Sequence, residues 1–237
     1  MNEGKMKLYS PCVNVMNVAG FMSGTGSVLR EIIKKEDGYK VVLIFSDNIK
    51  SNAVKIGKEF DIPVLIRDLE SYCNKRKVTV FNMTARKRFD KEISKVLKLY
   101  NVYTIACAGY MRLLTSVLLS NYLCVNVHPA DLRILDDNGK RKYIGTHSVK
   151  DAIYGGQNEL RSTTHIMNNE VDGGQILMVS DPLEIPAEKP IVDKEICKLQ
   201  NALKKKGDFV IFPQTLTNIA NGRYVLDITN NKVHLED

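Results

Sequence analysis

Short apolar runs alternate with segments of helical spacing along the first half of the chain. The run Val41-Val42-Leu43-Ile44-Phe45 is rich in β-branched residues and predicts a buried strand. Strands are predicted in this way at residues 13–19, 41–45, 63–66, 103–108 and 123–127, and helices at residues 27–35, 52–60 and 89–100. This alternation predicts an α/β fold, with a Rossmann-like, mainly parallel twisted sheet and helices on both of its faces.

The last third of the chain has a different pattern. The Ser148-x-x-Asp151 spacing predicts a capping box that opens a helix ending near Tyr154. Two strands, 163–167 and 175–179, are joined by a polar turn, and two helices follow at 192–206 and 208–220. Gly222 is the expected C-terminal stop of the second helix. We therefore expect one domain with an elaborated C-terminal lobe.

Composition narrows the class of protein. The chain has 237 residues, of which 44% are hydrophobic and 26% charged, so it can bury a core without metals or disulfides. No apolar run is long enough to cross a bilayer. The five cysteines are scattered and form no C-x-x-C pair. The first twelve residues contain no continuous apolar stretch followed by small residues, so we expect no secretory signal. Both features predict a cytoplasmic protein with reduced thiols.

The charge balance points to anionic partners. There are 34 Lys and Arg residues against 27 Asp and Glu, a formal charge of +7. The basic clusters are not interleaved with stacking aromatic residues and there is no Trp, so nucleic acid has only charge in its favour. The four histidines show no metal-binding spacing, and no G-x-S-x-G elbow is present. We expect neither a metal nor a serine nucleophile.

A glycine-rich segment, Ser23-Gly24-Thr25-Gly26-Ser27, lies between the first predicted strand and the first predicted helix. Glycines allow a sharp turn, and the N–H groups of a helix start can bind an anion. The third glycine of a dinucleotide fingerprint and the Gly-Lys-Ser/Thr ending of a nucleotide P-loop are both missing. The segment therefore fits a single phosphate group, and a tight turn without a ligand fits it equally well.

Asn126 and His128 lie two residues apart on a predicted strand, so their side chains project from the same face. Pro129 ends that strand at the edge of the sheet where open α/β proteins bind ligands. An amide donor beside an imidazole suits attack on a carbonyl carbon, and Asp172 could orient the imidazole and raise its pKa. Two ordinary roles stay open: His128 bonded to a backbone carbonyl, and Asp172 in a hairpin turn.

Taken in order, these segments resemble the phosphoribosylglycinamide formyltransferase family. Five patterns of the family have a counterpart in this chain. They are S-G-x-G-S-N-L at residues 23–29, A-G-[FY]-M-R-[IL]-L at 108–114, N-[IL]-H-P at 126–129, D-x-G at 172–174 and [IY]-[FY]-P at 211–213. The resemblance covers about residues 14–226. It implies a single formyltransferase domain over residues 1–237. A phosphate-binding part would span about 13–128, and a part at about 129–226 would complete the folate and catalytic site.

The resemblance also implies an activity. A formyl group would pass from the co-substrate 10-formyltetrahydrofolate to the amine of glycinamide ribonucleotide, in purine biosynthesis and without a metal. Catalysis would fall to Asn126, His128 and Asp172. The implied binding residues are Gly24, Thr25, Gly26, Ser27 and Val28 for the substrate phosphate, Asp208 for the ribonucleotide, and Arg86, Met111, Arg112, Leu113, Leu114, Asn126 and Val171 for folate. The partners would be small molecules, with no membrane and no nucleic acid, and the oligomeric state is open.

Three departures from the family pattern leave the formyl acceptor open. Val28 replaces an Asn, Asp208 replaces a Glu, and the stretch at residues 130–144 is longer than usual. The alternative acceptors are another amine, such as an amino sugar, or water, as in formyltetrahydrofolate hydrolase. We expect neither the extra N-terminal domain of that hydrolase nor the RNA-binding domain of methionyl-tRNA formyltransferase. Outside enzymes, the alternative is a phosphate- or RNA-binding protein, which explains the charge but not the intact catalytic residues.

Overall fold

The computed structural model describes residues 4–11, 15–186 and 192–236. The described strands are β1 (Lys5–Lys7), β2 (Met16–Met22), β3 (Tyr39–Ser46), β4 (Val64–Ile66), β5 (Thr104–Cys107), β6 (Leu123–His128), β7 (Glu159–Leu160), β8 (Thr163–Ile166), β9 (Ile176–Val179), β10 (Leu183–Glu184), β11 (Tyr224–Asp227) and β12 (Lys232–Leu235). The described α-helices are α1 (Ser27–Lys34), α2 (Ala53–Phe60), α3 (Leu69–Asn74), α4 (Met83–Leu99), α5 (Ser116–Leu119), α6 (Ser148–Tyr154), α7 (Asp193–Leu203) and α8 (Phe209–Ala220), and a π-helical turn (Lys204–Asp208) lies between the last two.

The main sheet has the strand order β4-β3-β2-β5-β6-β8-β9. β2 pairs in parallel with β3 and with β5, and β3 pairs in parallel with β4. β8 and β9 form an antiparallel pair. Parallel neighbours need crossover connections, and α1, α2 and α4 lie in the connections between the parallel strands. The predicted α/β fold with a mainly parallel sheet is confirmed.

Most predicted elements are present with shifted ends. Residues 13 and 14 of the first predicted strand lie outside the described residues, and β2 continues three residues beyond the predicted end, to Met22. α4 begins six residues before the predicted start at Phe89, because the Asn82 side chain accepts a hydrogen bond from the Ala85 N–H and caps the helix there. The first turns of α4 consist mainly of polar residues, so the spacing of apolar residues did not reveal where the helix begins.

One prediction in the last third is wrong in detail. α6 has the predicted bounds, but its N-cap is His147, which makes no side-chain capping bond, and Ser148 Oγ is buried without a partner among the described residues. The predicted capping box is therefore absent. The two predicted late helices are present as α7 and α8, and the π-helical turn joins them. Gly222 has a φ of +67° just after α8, as expected of a C-terminal stop.

The chain divides into two compact units. One comprises Tyr9–Val125, and the other comprises Asn126 onward together with the N-terminal residues up to Leu8. The first unit has an aromatic core, in which the Phe21 ring lies 4.6 Å from Phe45 and 5.4 Å from Tyr110, centroid to centroid. The core of the second unit is mainly aliphatic and includes the buried residues Tyr143, Val149, Ile153, Leu160, Ile196 and Leu203.

The second unit also contains two small sheets. β1, β11 and β12 form one, with β11 in the middle, and β7 pairs with β10 in the other. Within the ranges described, no helix combines the length and the apolar character that spanning a membrane requires.

Candidate active site

Two histidines share one carboxylate in the second unit. His128 is the last residue of β6, and its Nδ1 lies 3.3 Å from Asp172 Oδ2. His165 on β8 places Nε2 at 3.5 Å from the other oxygen, Asp172 Oδ1. The side chains of His128 and His165 are only 5% and 2% exposed, and that of Asp172 is 10% exposed. The structure therefore brings the predicted pair His128 and Asp172 into contact and adds a second imidazole.

The turn between β8 and β9 fixes the position of Asp172. Asp172 adopts a left-handed backbone with a φ of +50°, which Asp tolerates better than most residues. Its Oδ2 accepts a hydrogen bond of 2.8 Å from the Gly145 N–H. A Cβ atom at Gly174 would overlap the carbonyl oxygen of Ile166, so only glycine fits at that position. The Asp-Gly-Gly sequence thus serves both the turn geometry and the carboxylate.

Asn126 contacts His165 rather than His128. The Asn126 Nδ2 atom lies 3.2 Å from His165 Nε2, and His165 Nδ1 lies 3.1 Å from the carbonyl oxygen of Ile166. A carbonyl oxygen only accepts, so Nδ1 carries a proton, and Nε2 is placed to accept from the Asn126 amide. His165 was not among the residues predicted from the sequence. The signal that could have found it is its position two residues after Thr163, which places polar side chains on one face of a buried strand.

Both ring nitrogens of His128 face oxygen atoms. Nε2 lies 2.8 Å from the carbonyl oxygen of Tyr143, and Nδ1 faces Asp172. Only the doubly protonated imidazolium donates to both acceptors. Burial nevertheless lowers the pKa of His128 below its ordinary value, while Asp172 and the Tyr143 carbonyl act in the opposite direction. The predicted upward effect of Asp172 on the pKa of His128 is present, but burial outweighs it and the net shift is downward.

The Asp172 carboxylate is ionised at neutral pH. Burial raises its pKa, but the neighbouring His165 side chain, the charge of His128 and the Gly145 N–H outweigh burial, and the pKa of Asp172 is lowered overall. An ionised carboxylate next to His128 favours a positive charge on that ring. His128 can therefore take up a proton and release it beside this carboxylate, as general acid–base chemistry requires.

The glycine-rich turn in the first unit leads directly into α1. Gly26 is the N-cap of α1 with a φ of +68°, and a Cβ atom there would overlap the side chains of Ile56 and Met22. Gly24 is exposed, and a Cβ atom added to it would meet no other atom within 4 Å. Asn52 holds the turn through bonds from its N–H to the Gly24 oxygen at 3.0 Å and from Nδ2 to the Thr25 oxygen at 3.3 Å.

The predicted phosphate residues that follow differ in their exposure. Thr25 is exposed on the turn and Ser27 is half-buried at the first position of α1. Val28 is only 5% exposed, so its side chain belongs to the core. At Val28 only the backbone N–H is therefore suited to an anion. No described side chain caps the start of α1, which leaves its first N–H groups as the donors of this turn.

The predicted folate segment runs along the surface of the same unit. Met111 and Leu113 are 61% and 56% exposed, whereas Leu114 is 6% exposed. The Arg112 side chain is paired within the unit, with Nε at 3.0 Å from Asp47 Oδ2 and Nη2 at 3.1 Å from Glu70 Oε1. A cavity of about 390 Å³ lies beside it, lined by Ser23, residues 47–50, Asp68, Glu70, Met111 and Arg112. In the second unit, Val171 is 43% exposed beside Asp172.

Arg86 is buried instead of facing solvent. It is 7% exposed, and its guanidinium donates to the carbonyl oxygen of Leu113 and, at 3.5 Å, to that of Val80. Its Nε has no partner among the described residues. This placement does not fit the expected contact with a substrate carboxylate at the surface. Arg86 instead holds the backbone of the predicted folate segment from the inside.

Asp208 lies in the π-helical turn and is also buried. It is 5% exposed, and its Oδ1 accepts a hydrogen bond of 2.6 Å from Ser162 Oγ. Burial raises the pKa of Asp208 to about 6, although the Ser162 hydrogen bond and the charge of Lys204 oppose the rise. The predicted contact between Asp208 and the ribonucleotide would need this internal hydrogen bond to open.

Comparison with known proteins decides the family. A family model described as formyl transferase matches residues 16–207 of the chain. The chain belongs to the formyl transferase family. In sequence, it is 25% identical over 225 residues to a phosphoribosylglycinamide formyltransferase of Haemophilus influenzae, covering 92% of this chain and 93% of that protein.

Solved structures agree with the family assignment. The phosphoribosylglycinamide formyltransferase of Bacillus halodurans is 25% identical with a TM-score of 0.68, covering 85% of this chain and 93% of that one. Glycinamide ribonucleotide transformylase 1 of Symbiobacterium toebii is 19% identical with a TM-score of 0.75, covering 94% and 95%. The second likeness shows the fold.

The family match includes most of the predicted site. It spans the glycine-rich turn, the folate segment, Asn126, His128 and Asp172, and it ends one residue before Asp208. It also spans His165 and the long stretch at residues 130–144. Within the ranges described, no group of three or more His, Cys, Asp or Glu side chains is arranged to hold a metal ion.

Proposed function

We propose that the protein transfers a formyl group from 10-formyltetrahydrofolate to the amine of glycinamide ribonucleotide. The observation that carries this proposal is the contact of 3.3 Å between His128 and an ionised Asp172, with Asn126 two residues before the histidine. Membership of the formyl transferase family and the names of the similar proteins support the choice of reaction and acceptor. The folate supplies the formyl group, and Asn126, His128 and Asp172 provide charge stabilisation and proton transfer.

Asn126 is the proposed donor to the formyl oxygen. Its Nδ2 has two hydrogens, and His165 accepts one of them, so the other is free to stabilise the negative charge that develops during attack. His165 keeps the amide from rotating. A donor that is held in place before the reaction stabilises this charge without having to reorient.

His128 is the proposed acid–base group. Asp172 holds Nδ1, so Nε2 is the nitrogen that exchanges a proton with the reacting groups. Nε2 is bonded to the Tyr143 carbonyl in this structure, and proton transfer requires that the substrate replace that carbonyl. In the imidazolium form, His128 adds positive charge beside the formyl oxygen. The acceptor amine forms a bond to the formyl carbon, and the bond between that carbon and the folate nitrogen breaks. Nε2 of His128 protonates the departing folate nitrogen, and the proton that the amine loses returns to Nε2.

The binding roles are separate proposals. The backbone N–H groups at the start of α1, with the Ser27 and Thr25 hydroxyls, would bind the phosphate of the ribonucleotide. The exposed side chains of Met111 and Leu113 offer apolar surface to the folate ring system, and Val171 does the same in the second unit. Arg86 and Arg112 support this segment through internal contacts. Asp208 would bind the ribonucleotide only after leaving Ser162.

We also propose that the enzyme works in the cytoplasm on small molecules. The described cysteines Cys73, Cys107, Cys124 and Cys197 are free thiols, which suits a reducing compartment. The division of labour predicted from sequence, with phosphate binding in about residues 13–128 and catalysis completed by about residues 129–226, is part of the same proposal.

Release of tetrahydrofolate by the purified protein tests the function. We expect rapid release with 10-formyltetrahydrofolate and glycinamide ribonucleotide together, and loss of that release in the His128→Ala variant. Release with an amino sugar nucleotide but not with glycinamide ribonucleotide would move the assignment to another acceptor. Release without any amine would indicate a hydrolase. Failure with every acceptor, together with salt-dependent RNA binding, would favour the non-enzymatic alternative.

A further inference from the structure

The long stretch at residues 130–144 reaches the catalytic turn through one side chain. The guanidinium of Arg141 donates from Nη1 to the carbonyl oxygen of Asp172 and from Nη2 to that of Gly174, the latter at 2.6 Å. These two carbonyls belong to the turn that carries the Asp172 carboxylate. A planar guanidinium is suited to such a pair of acceptors, because its donors form a rigid fork.

The stretch is ordered by its own hydrogen bonds. Asp136 Oδ1 accepts from the N–H groups of Asn138 at 2.9 Å and Lys140 at 2.8 Å, which closes a tight turn. Leu135 and Arg141 form an antiparallel bridge across that turn, and Asp136 donates its own N–H to the Lys140 oxygen at 2.7 Å. Arg141 therefore extends from a small hairpin rather than from an irregular loop.

Both ends of the stretch are fixed to the second unit. At the start, Thr163 Oγ1 donates to the Ala130 oxygen at 2.7 Å and accepts from the Leu132 N–H at 3.2 Å. At the end, the Tyr143 ring is buried in the core, and its hydroxyl accepts a hydrogen bond of 3.2 Å from Gln157 Nε2. With both ends and the middle held, the hairpin can keep Arg141 in a fixed position against the turn.

We propose that Arg141 is a positioning residue, which holds the turn of Asp172 so that the carboxylate stays against His128. Its importance for catalysis rests on the function proposed above. The left-handed backbone of Asp172 is a conformation that must be held by its surroundings, and the two carbonyls of the turn need donors when they are partly buried. The same segment contacts His128 through the Tyr143 oxygen, so it reaches both members of the pair.

The pKa of His128 reports on this role without any assay of turnover. The charged and titratable groups that act on His128 are Asp172 from the β8–β9 turn, His165 from β8 and Arg141 from the hairpin. Asp172 raises the pKa, whereas the positive charge of Arg141 lowers it. If Arg141 acted only through its charge, removing it would raise the pKa of His128. If Arg141 positions Asp172, removing it lets the carboxylate move away, and the pKa falls.

The experiment is an NMR titration of the imidazole nitrogens in four proteins: the unaltered chain and the variants Arg141→Lys, Arg141→Met and Lys140→Met. The His128 signal is assigned by its loss in His128→Gln. Arg141→Lys is the decisive variant because it keeps the charge and loses the fork. We expect the pKa of His128 to fall in both Arg141 variants and to stay unchanged in Lys140→Met, which removes an exposed charge from the same hairpin.

Turnover and folding complete the test. In the Arg141 variants we expect kcat to fall by up to about 10²-fold, as for a misplacement of about 1 Å, with KM changed less. Added methylguanidine should restore part of the turnover to Arg141→Met and none to Lys140→Met. Thermal melting identifies a variant that fails to fold, in which case Arg141→Lys alone decides.

A rise or no change in the pKa of His128 in the folded Arg141→Lys variant would overturn the proposal. The titration does not depend on the identity of the reaction. If the unaltered protein transfers no formyl group but the pKa falls as expected, the proposed function fails and the positioning role stands.

Discussion

Ser162 donates a hydrogen bond of 2.6 Å to Asp208, and this bond lies inside the protein at the π-helical turn. Both residues are buried, with Ser162 fully inaccessible to solvent and Asp208 5% exposed. A carboxylate in such a place is costly to ionise, and one hydroxyl donor compensates only in part. The pKa of Asp208 is accordingly raised from 3.8 to about 6.

The raised pKa of Asp208 predicts that the contribution of this residue to stability falls as the pH rises. The folded protein binds this proton more tightly than the unfolded chain, so the stabilising contribution is fully present below about pH 4 and is lost through pH 6. The difference corresponds to roughly 3 kcal/mol. Unfolding in urea at pH 4.5 to 7.5 should show that Asp208→Asn removes this decline relative to the unaltered protein. Asp137→Asn, at an exposed position, serves as control; a parallel decline in Asp208→Asn would contradict the prediction.

His165 should affect catalysis through Asn126. In His165→Ala the Asn126 amide loses its acceptor and can rotate, so we expect kcat to fall by at least about 10-fold, approaching the 10²–10³-fold cost of a lost oxyanion donor. KM should change little because the binding surfaces are intact. Steady-state kinetics with both substrates measure this, and His234→Ala on the exposed β12 is the control. An unchanged kcat in a folded His165→Ala protein would remove His165 from the site.

Arg86 should act on the backbone of the folate segment rather than on a substrate carboxylate. Replacement by Lys keeps the charge but loses one of the two bonds to the Val80 and Leu113 oxygens, and we expect KM for the folate to rise roughly 10-fold. The same factor should be found with a 10-formyltetrahydropteroate that lacks the glutamate. A factor that disappears with the pteroate would show that Arg86 binds the carboxylate. Arg88→Lys, exposed on the same helix, is the control.

The two glycines of the phosphate turn should respond differently to alanine. Gly26→Ala forces a side chain into a left-handed backbone and against Ile56, so we expect a loss of at least about 2 kcal/mol of stability. Gly24→Ala meets open space and should change stability by less than about 0.5 kcal/mol. If the turn binds phosphate, Gly24→Ala still raises KM for the ribonucleotide by crowding it. A stable Gly24→Ala protein with an unchanged KM would place the phosphate elsewhere.

Local patterns explain what the sequence could predict. The strand β3 follows from a run of β-branched residues, and the shared face of Asn126 and His128 follows from the alternation of side chains along a strand. Asp172 is distant from these two residues along the chain, and its place in the same catalytic group was predicted from the resemblance to a family. The strands β7 and β10 have two residues each, which is too few to show a periodic pattern in the sequence. The helix α3 is capped by the side chain of Asp68, and an Asp residue is equally common in loops, so it did not identify the start of a helix.

Contacts between distant segments explain what the sequence could not predict. Nothing in the local pattern around Arg141 shows that its donors reach the oxygens of Asp172 and Gly174, because those contacts involve main-chain atoms of another segment. The burial of Arg86 could not be predicted from the sequence either, because an arginine on a helix is usually exposed to solvent. The net fall in the pKa of His128 depends on how deeply the ring is buried, a quantity that only the folded structure gives.

The carbonyl oxygen of Ile166 occupies the space in which any side chain at position 174 would begin. Glycine is therefore the one amino acid that fits at position 174, both in natural variants and in engineered ones. A change in substrate preference therefore requires substitutions at other positions of the chain, because position 174 does not tolerate one.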